Sequence, residues 1–154
     1  MNEKGRLTHW DEVGKPHVVC VGWNDAACRI ATAKGRVVMK RETLGRITSE
    51  GINKGDVFDL ARTAGVRAVK HTPVLIPMCH NVVIDGIDVD FFIDMEKNEV
   101  LIEAKVSARG NSGADIKALN AVSTAALMIY DLCKAFDNEI RISDIRLCPG
   151  EGKK

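Results

Sequence analysis

The sequence predicts an α+β fold, a mainly antiparallel sheet covered by helices, and three observations carry that expectation. First, Val100, Ile102, Ala104 and Val106 alternate with Leu101, Glu103, Lys105 and Ser107, the pattern of a strand with one buried and one mostly polar face. Second, the β-rich run from Val82 to Met95 leads into that strand through Glu96-Lys97-Asn98, a short connection that makes the two a hairpin. Third, the elements read along the chain run β, β, α, α, β, β, α, β, which suits helices gathered on one face of a sheet.

The first strand is the Val-rich stretch His17 to Gly22. After a loop bearing Asp and Asn, a strand at Arg36 to Lys40 enters a polar Arg41-Glu42-Thr43 junction and a short helix ending near Gly51. From Asp56 to Lys70, Val57, Leu60, Ala61, Ala64, Val66 and Val69 are mostly spaced for a helix. Gly65 weakens it by about 1 kcal/mol relative to Ala. Thr72-Pro73 is expected to end it, because proline lacks a donor and restricts its predecessor. Ser112-Gly113-Ala114-Asp115 has the form of a capping box with Asp in place of Glu. It opens the longest helical pattern, to about Phe136, roughly 33 Å at the usual rise. Ile140 to Cys148 alternates imperfectly around Asp144, a last strand with a bulge.

At 154 residues the chain has the length of one domain, so residues 1–154 are read as a single unit. Its 45% hydrophobic and 28% charged residues are globular composition, short of a membrane span and too apolar for disorder. With 22 Lys+Arg against 21 Asp+Glu the net charge is +1, so no global field recruits nucleic acid or an anionic membrane. Trp10, Trp23 and the phenylalanines form no alternating basic and aromatic pattern, which also argues against nucleic acid. The cysteines, Cys20, Cys28, Cys79, Cys133 and Cys148, include no C-x-x-C pair and no zinc spacing, so neither disulfides nor structural zinc are expected. The first fifteen residues hold charges and no apolar core segment, which reads as a cytoplasmic protein.

Four features could carry chemistry, and each has a plain structural reading beside it. Asn53-Lys54-Gly55-Asp56 sets a lysine at a glycine-flexed helix entry, where backbone N–H groups and the helix dipole favour a phosphate. Equally, Asp56 caps the helix and Lys54 is solvated. His80 ends the apolar loop Leu75-Ile76-Pro77-Met78-Cys79-His80 and suits either acid/base work or a structural loop role. Cys79 beside it is a small buried side chain or a weak ligand. Asp131 and Lys134 share a helix face three residues apart. As a surface pair they would mean little. Their apolar flanks, Ile129-Tyr130 and Ala135-Phe136, suggest partial desolvation and so a matched acid and base.

Lys54-Gly55-Asp56-Val57, Leu75 to His80, Ile129 to Lys134 and Ile145-Arg146-Leu147 stand in the order found in the cyclic pyranopterin monophosphate synthases of molybdenum cofactor biosynthesis, and the chain resembles that family over nearly its whole length. The resemblance implies a ferredoxin-like α+β fold and a homohexamer, a trimer of dimers with sites at the dimer interface. It also implies an enzyme, a lyase acting on a small cyclised GTP derivative. The family reaction converts 3′,8-cyclo-7,8-dihydro-GTP to cyclic pyranopterin monophosphate and pyrophosphate. Carried over by position, Asp131 and Lys134 resemble the catalytic pair. Lys54, Lys70, Met78, Cys79, His80, Asp115, Ile116 and Lys117 resemble the substrate-binding set. No cofactor is implied beyond a divalent ion accompanying the substrate phosphates, and no metal ligand set stands out.

The sequence departs from the family pattern at Cys20, where an Asp is usual, at Asn81, where a Pro is usual, and at Gly150, where a lysine is usual. Asp115 and Lys117 stand where the family has two acidic residues. Lys117 is expected either to supply the cation missing at Gly150 or to leave that role to Lys153 or Lys154. A diverged paralogue acting on another pterin or nucleotide triphosphate, and a non-catalytic binding or assembly homologue, are the alternative readings.

Overall fold

Alternating apolar strands and small-residue helices assemble here as β-α-α-β-β-α-β, in a computed structural model that describes residues 28–49, 56–79, 81–110 and 113–149. The elements are β1 (Cys28–Val38), α1 (Arg41–Thr48), α2 (Asp56–Leu75), β2 (Ile84–Asp94), β3 (Glu99–Arg109), α3 (Ala114–Cys133) and β4 (Arg141–Leu147). The sheet order is β2-β3-β1-β4, and each neighbouring pair is antiparallel. Thus β1 and β2 run parallel with β3 between them, the split β-α-β arrangement of ferredoxin-like folds. The expected α+β architecture is therefore present. The strand expected at His17 to Gly22 lies outside the described residues.

The hairpin and the alternation in β3 follow the sequence closely. Val100, Ile102, Ala104, Val106 and Ala108 are all buried, and Asp94 Oδ1 accepts the Glu96 and Lys97 N–H groups across the turn, each at 3.0 Å. Asn98 takes a positive φ of 53° there, a conformation that asparagine tolerates better than most residues. The bulge expected around Asp144 is also present. Residues 34 to 36 of β1 face residues 146 to 143 of β4, so β4 carries one extra residue, and Asp144 has φ 56°.

Three boundaries differ from the sequence reading. The strand expected at Arg36 to Lys40 begins at Cys28, because β1 pairs with β3 in unbroken register from Cys28↔Arg109 to Val38↔Glu99. Its Ala31, Ala33 and Gly35 carry little intrinsic strand signal, and the pairing imposes the conformation. Helix α2 does not stop at Thr72 but runs through Pro73 to Leu75. The Thr72 hydroxyl donates to Ala68 O at 2.6 Å and the Asn120 amide donates to the same oxygen at 3.1 Å, holding the turn that Pro73 would otherwise loosen. Finally, the N-cap of α3 is Gly113, at φ 103°, with no side-chain capping bond. The capping box anticipated from Ser112 to Asp115 is therefore out of register by one residue; Ser112 itself is not among the described residues.

Helices α2 and α3 cover the apolar face of the sheet through side chains small enough for close approach. A Cβ on Gly65 would lie 3.1 Å from Ala121 O, so this glycine, a weakness in helix propensity, allows α2 to lie against α3. Gly35 does the same for the sheet, since a Cβ there would meet Val122 Cγ1 at 2.6 Å. By length and composition α3 could cross a membrane. It is instead the core helix, burying Ala118, Ala121, Val122, Ala125, Ala126 and Ile129 against its neighbours.

Candidate active site

Of the site residues singled out from sequence, those that the structure describes, Lys70 and Asn81 aside, fall at the two ends of α3. At its N-terminal end Lys117, only 2% exposed, donates from Nζ to Cys79 Sγ at 3.2 Å. Cys79 is half-buried just beyond α2, where its N–H bonds Ile76 O at 3.0 Å. Beside it Met78 is 89% exposed. Asp115 is exposed and accepts the Ile116 N–H at 2.8 Å; Ile116 is half-buried. The structure thus joins two members of the expected substrate-binding set, Cys79 and Lys117, across 38 residues of chain.

Lys70 is not brought to that contact. Ala68 and Thr72 of α2 face α3, where Asn120 bonds both. Lys70, two residues from each, therefore projects from the opposite side of the helix, and it is exposed. Asn81 is exposed as well. Lys54, His80, Cys20, Gly150, Lys153 and Lys154 lie outside the described residues. The Lys117 ammonium is directed at a sulfur, which bears on its expected role as a replacement phosphate cation.

At the other end of α3, Lys134 Nζ donates to Asp131 Oδ1 at 2.6 Å. The expected pairing is present, but the expected desolvation is not: the side chains are 55% and 61% exposed. The flanking apolar residues Ile129 and Cys133 point into the core while Asp131 and Lys134 occupy the outer face of the same helix. The hydrogen bond to Asp131, and then its charge, hold the Lys134 ammonium above its ordinary pKa. Lys134 is thus held as a cation, suited to neutralise an anion rather than to give up a proton.

Asp137 anchors the chain just past this pair, a role that sequence patterning gave no sign of. It is 2% exposed and accepts the Lys40 N–H at 2.9 Å, the Thr43 hydroxyl at 2.8 Å and the Glu139 N–H at 2.8 Å. Lys40 is the N-cap of α1 and makes no side-chain capping bond, so Asp137 supplies the cap from 97 residues away. Burial pushes this carboxyl upward, but the backbone bonds from Lys40 and Glu139, the Thr43 hydroxyl and the Lys40 charge together outweigh it and hold its pKa below the ordinary value. Asn120 and Thr72 play the corresponding part at the other end, bonding at 3.1 Å to fasten the end of α2 to α3. Asn120 and Thr72, polar residues within apolar helix patterns, are the trace that this second network leaves in the sequence.

A cavity of about 340 Å³ on the sheet's open face, lined by Lys34, Arg36, Phe92, Leu101, Glu103 and Arg146, stands apart from both clusters. Its cations are already matched: Lys34 with Glu103 at 3.1 Å, Arg36 with Glu99 at 3.2 Å and Arg146 with Asp144 at 2.9 Å. That pairing leaves little excess charge there for a phosphate-bearing ligand.

Comparison with known proteins bears on the whole chain. The profile of the MoaC family matches residues 18–152. The cyclic pyranopterin monophosphate synthase of Pelotomaculum thermopropionicum is 48% identical over 148 residues, 96% of this chain and 87% of the relative. Proteins of the same name from Desulforapulum autotrophicum and Heliobacterium modesticaldum are 46% and 45% identical, again over 96% of this chain and over 91% and 93% of their own lengths. With a family profile spanning nearly all of the sequence, and relatives this similar over nearly their full lengths, the chain belongs to the MoaC family.

Proposed function

We propose that this chain is a cyclic pyranopterin monophosphate synthase of molybdenum cofactor biosynthesis, a lyase that converts 3′,8-cyclo-7,8-dihydro-GTP to cyclic pyranopterin monophosphate and pyrophosphate. The observation that carries this reading is identity of 45–48% over 96% of the chain to proteins bearing that name, joined to the Asp131–Lys134 contact. In this reading Asp131 is the acid/base residue of ring formation, and Lys134, the cation bonded to it, is its partner. Lys54, Lys70 and His80 neutralise the phosphates as pyrophosphate leaves. Met78, Cys79, Asp115, Ile116 and Lys117 shape the wall around the substrate.

Geometry supports a site shared between copies. Lys117 and Asp131 lie fourteen residues apart on one helix, about 21 Å along its axis. Groups acting at one reacting centre must come within hydrogen-bond reach of it, about 3 Å, so the two ends of one α3 cannot both do so. A second copy packed with its α3 antiparallel would set Asp131 and Lys134 of one chain beside Cys79 and Lys117 of the other. A shared site suits the homohexamer, a trimer of dimers, that the family resemblance implies, and we read the protein as working in the cytoplasm. In this reading no cofactor is required, and a divalent ion would accompany the substrate phosphates.

The test is to supply 3′,8-cyclo-7,8-dihydro-GTP and follow pyrophosphate and the cyclic product together. Mixing Lys117→Ala with Asp131→Ala chains probes the shared site: mixed oligomers recover activity that neither variant has alone. Mixtures as inactive as the separate variants would count against a site built from two copies.

A further inference from the structure

The Lys117–Cys79 contact brings together a nitrogen and a sulfur capable of bonding to one another. Lys117 is buried on the first turn of α3, and its Nζ lies 3.2 Å from Cys79 Sγ. Cys79 is only partly covered, so a small oxidant in solvent can reach it. A sulfenic acid condenses with a neighbouring thiol or with a backbone nitrogen, and the Lys117 amine, already in contact with the sulfur, is a nitrogen nucleophile placed for the same reaction. Of the other described cysteines, Cys133 is buried in the core, with its thiol pushed up to about 11 by burial and by Asp137. Cys28 and Cys148 are tied to the sheet, the first donating to Asp85 and the second bonding Thr32 O through its N–H.

We propose that Cys79 and Lys117 are a peroxide-sensitive modification site, closing to a reversible nitrogen–sulfur crosslink. In the first step the Cys79 sulfur attacks hydrogen peroxide. An S–O bond forms, the O–O bond breaks, and the thiol proton leaves with the departing oxygen as water; the sulfur is oxidised by two electrons and the peroxide reduced. In the second, the Lys117 ammonium gives one proton to solvent and its nitrogen attacks the sulfur. The N–S bond forms, the S–O bond breaks, and the hydroxyl departs as water with a second proton from nitrogen. Two external thiols reverse the link, returning the free thiol and amine and leaving as a disulfide. The bond fastens the segment after α2 to the first turn of α3, and, on the reading of this site proposed above, it stops turnover by fixing the substrate wall.

The experiment treats the native full chain with hydrogen peroxide, digests it without reductant and maps the peptides by mass spectrometry. A joined pair holding Cys79 and Lys117, lighter than its two parts by two hydrogens and separated by dithiothreitol, is the expected result. It is absent from Cys79→Ser and from Lys117→Arg, and retained in Cys148→Ser. Cys79 recovered as sulfinic acid, or in a disulfide with Lys117 unmodified, would overturn the proposal. Because the readout is mass, a chain that forms the link yet lacks synthase activity would sink the functional reading and leave this one standing.

Discussion

Replacing Asp137 with alanine removes one acceptor from three donors and opens the joint between α1 and the end of α3. Thr43 and Asp137 are each 2% exposed, so water cannot readily serve the Thr43 hydroxyl once the carboxylate is gone. A buried donor left unsatisfied costs about 1–3 kcal/mol, and losing the cap at Lys40 adds about 1 kcal/mol, for a total of about 3 kcal/mol. In a chain of this size each kcal/mol moves the melting temperature by roughly 2–4 °C, so the variant should melt about 6–12 °C lower. Urea unfolding at pH 7 reads the same loss as a shifted midpoint with an unchanged slope. The pH dependence has a definite sign. The folded-state pKa of Asp137 lies below its ordinary value of 3.8, so its contribution is complete above that value and is lost as pH falls through the folded-state pKa. The gap between wild type and variant is therefore constant from pH 5 to pH 8 and narrows only under acid conditions. A gap below about 1 kcal/mol at pH 7, or one that closes as pH rises, would refute the assignment of Asp137 as a tertiary helix cap.

Three further outcomes follow from named contacts. Gly35→Ala places a methyl 2.6 Å from Val122 Cγ1 on the core side of β1; overpacking of this kind costs about 1–3 kcal/mol, read by chemical denaturation, and an unchanged midpoint would mean that α3 does not press on the sheet there. Cys133, its thiol raised to about 11, is thiolate in roughly one molecule per thousand at pH 8, so a thiol reagent should leave it unlabelled until the chain unfolds; prompt labelling of the native protein would contradict its burial. Asp131→Asn removes the charge and weakens the hydrogen bond that raise Lys134, so NMR titration should show the lysine pKa falling toward its ordinary value with the melting temperature unchanged. A lysine that titrates as before would show the pair to be a feature of one conformer only.

The β3 alternation and the hairpin were legible because each depends on near neighbours in sequence: Val100 to Val106 keep period two, and Asp94 bonds the turn that follows it. The front half of β1 was not, since Ala31, Ala33 and Gly35 become strand only by pairing with residues far along the chain. Pro73 reads locally as a stop; what carries α2 past it is Thr72 and Asn120, which meet across 48 residues. The candidate site divides in the same way. The adjacency of Asp131 and Lys134 is a property of helical spacing and was read correctly. Their exposure was not, because Ile129 and Cys133 spend their apolar character on the other side of α3. The approach of Lys117 to Cys79 depends on how the end of α2 crosses α3, and nothing in either local sequence announces it.

The most direct measurement is turnover of 3′,8-cyclo-7,8-dihydro-GTP by the full chain, with cyclic pyranopterin monophosphate and pyrophosphate quantified together and Asp131→Ala run beside it. Equal amounts of both products from the wild type, and neither from the variant despite an unchanged melting temperature, is the expected result. Product formed equally well by Asp131→Ala, or no product from a folded wild-type chain that still binds the substrate, would contradict the assignment of this protein as a cyclic pyranopterin monophosphate synthase working through the Asp131–Lys134 pair.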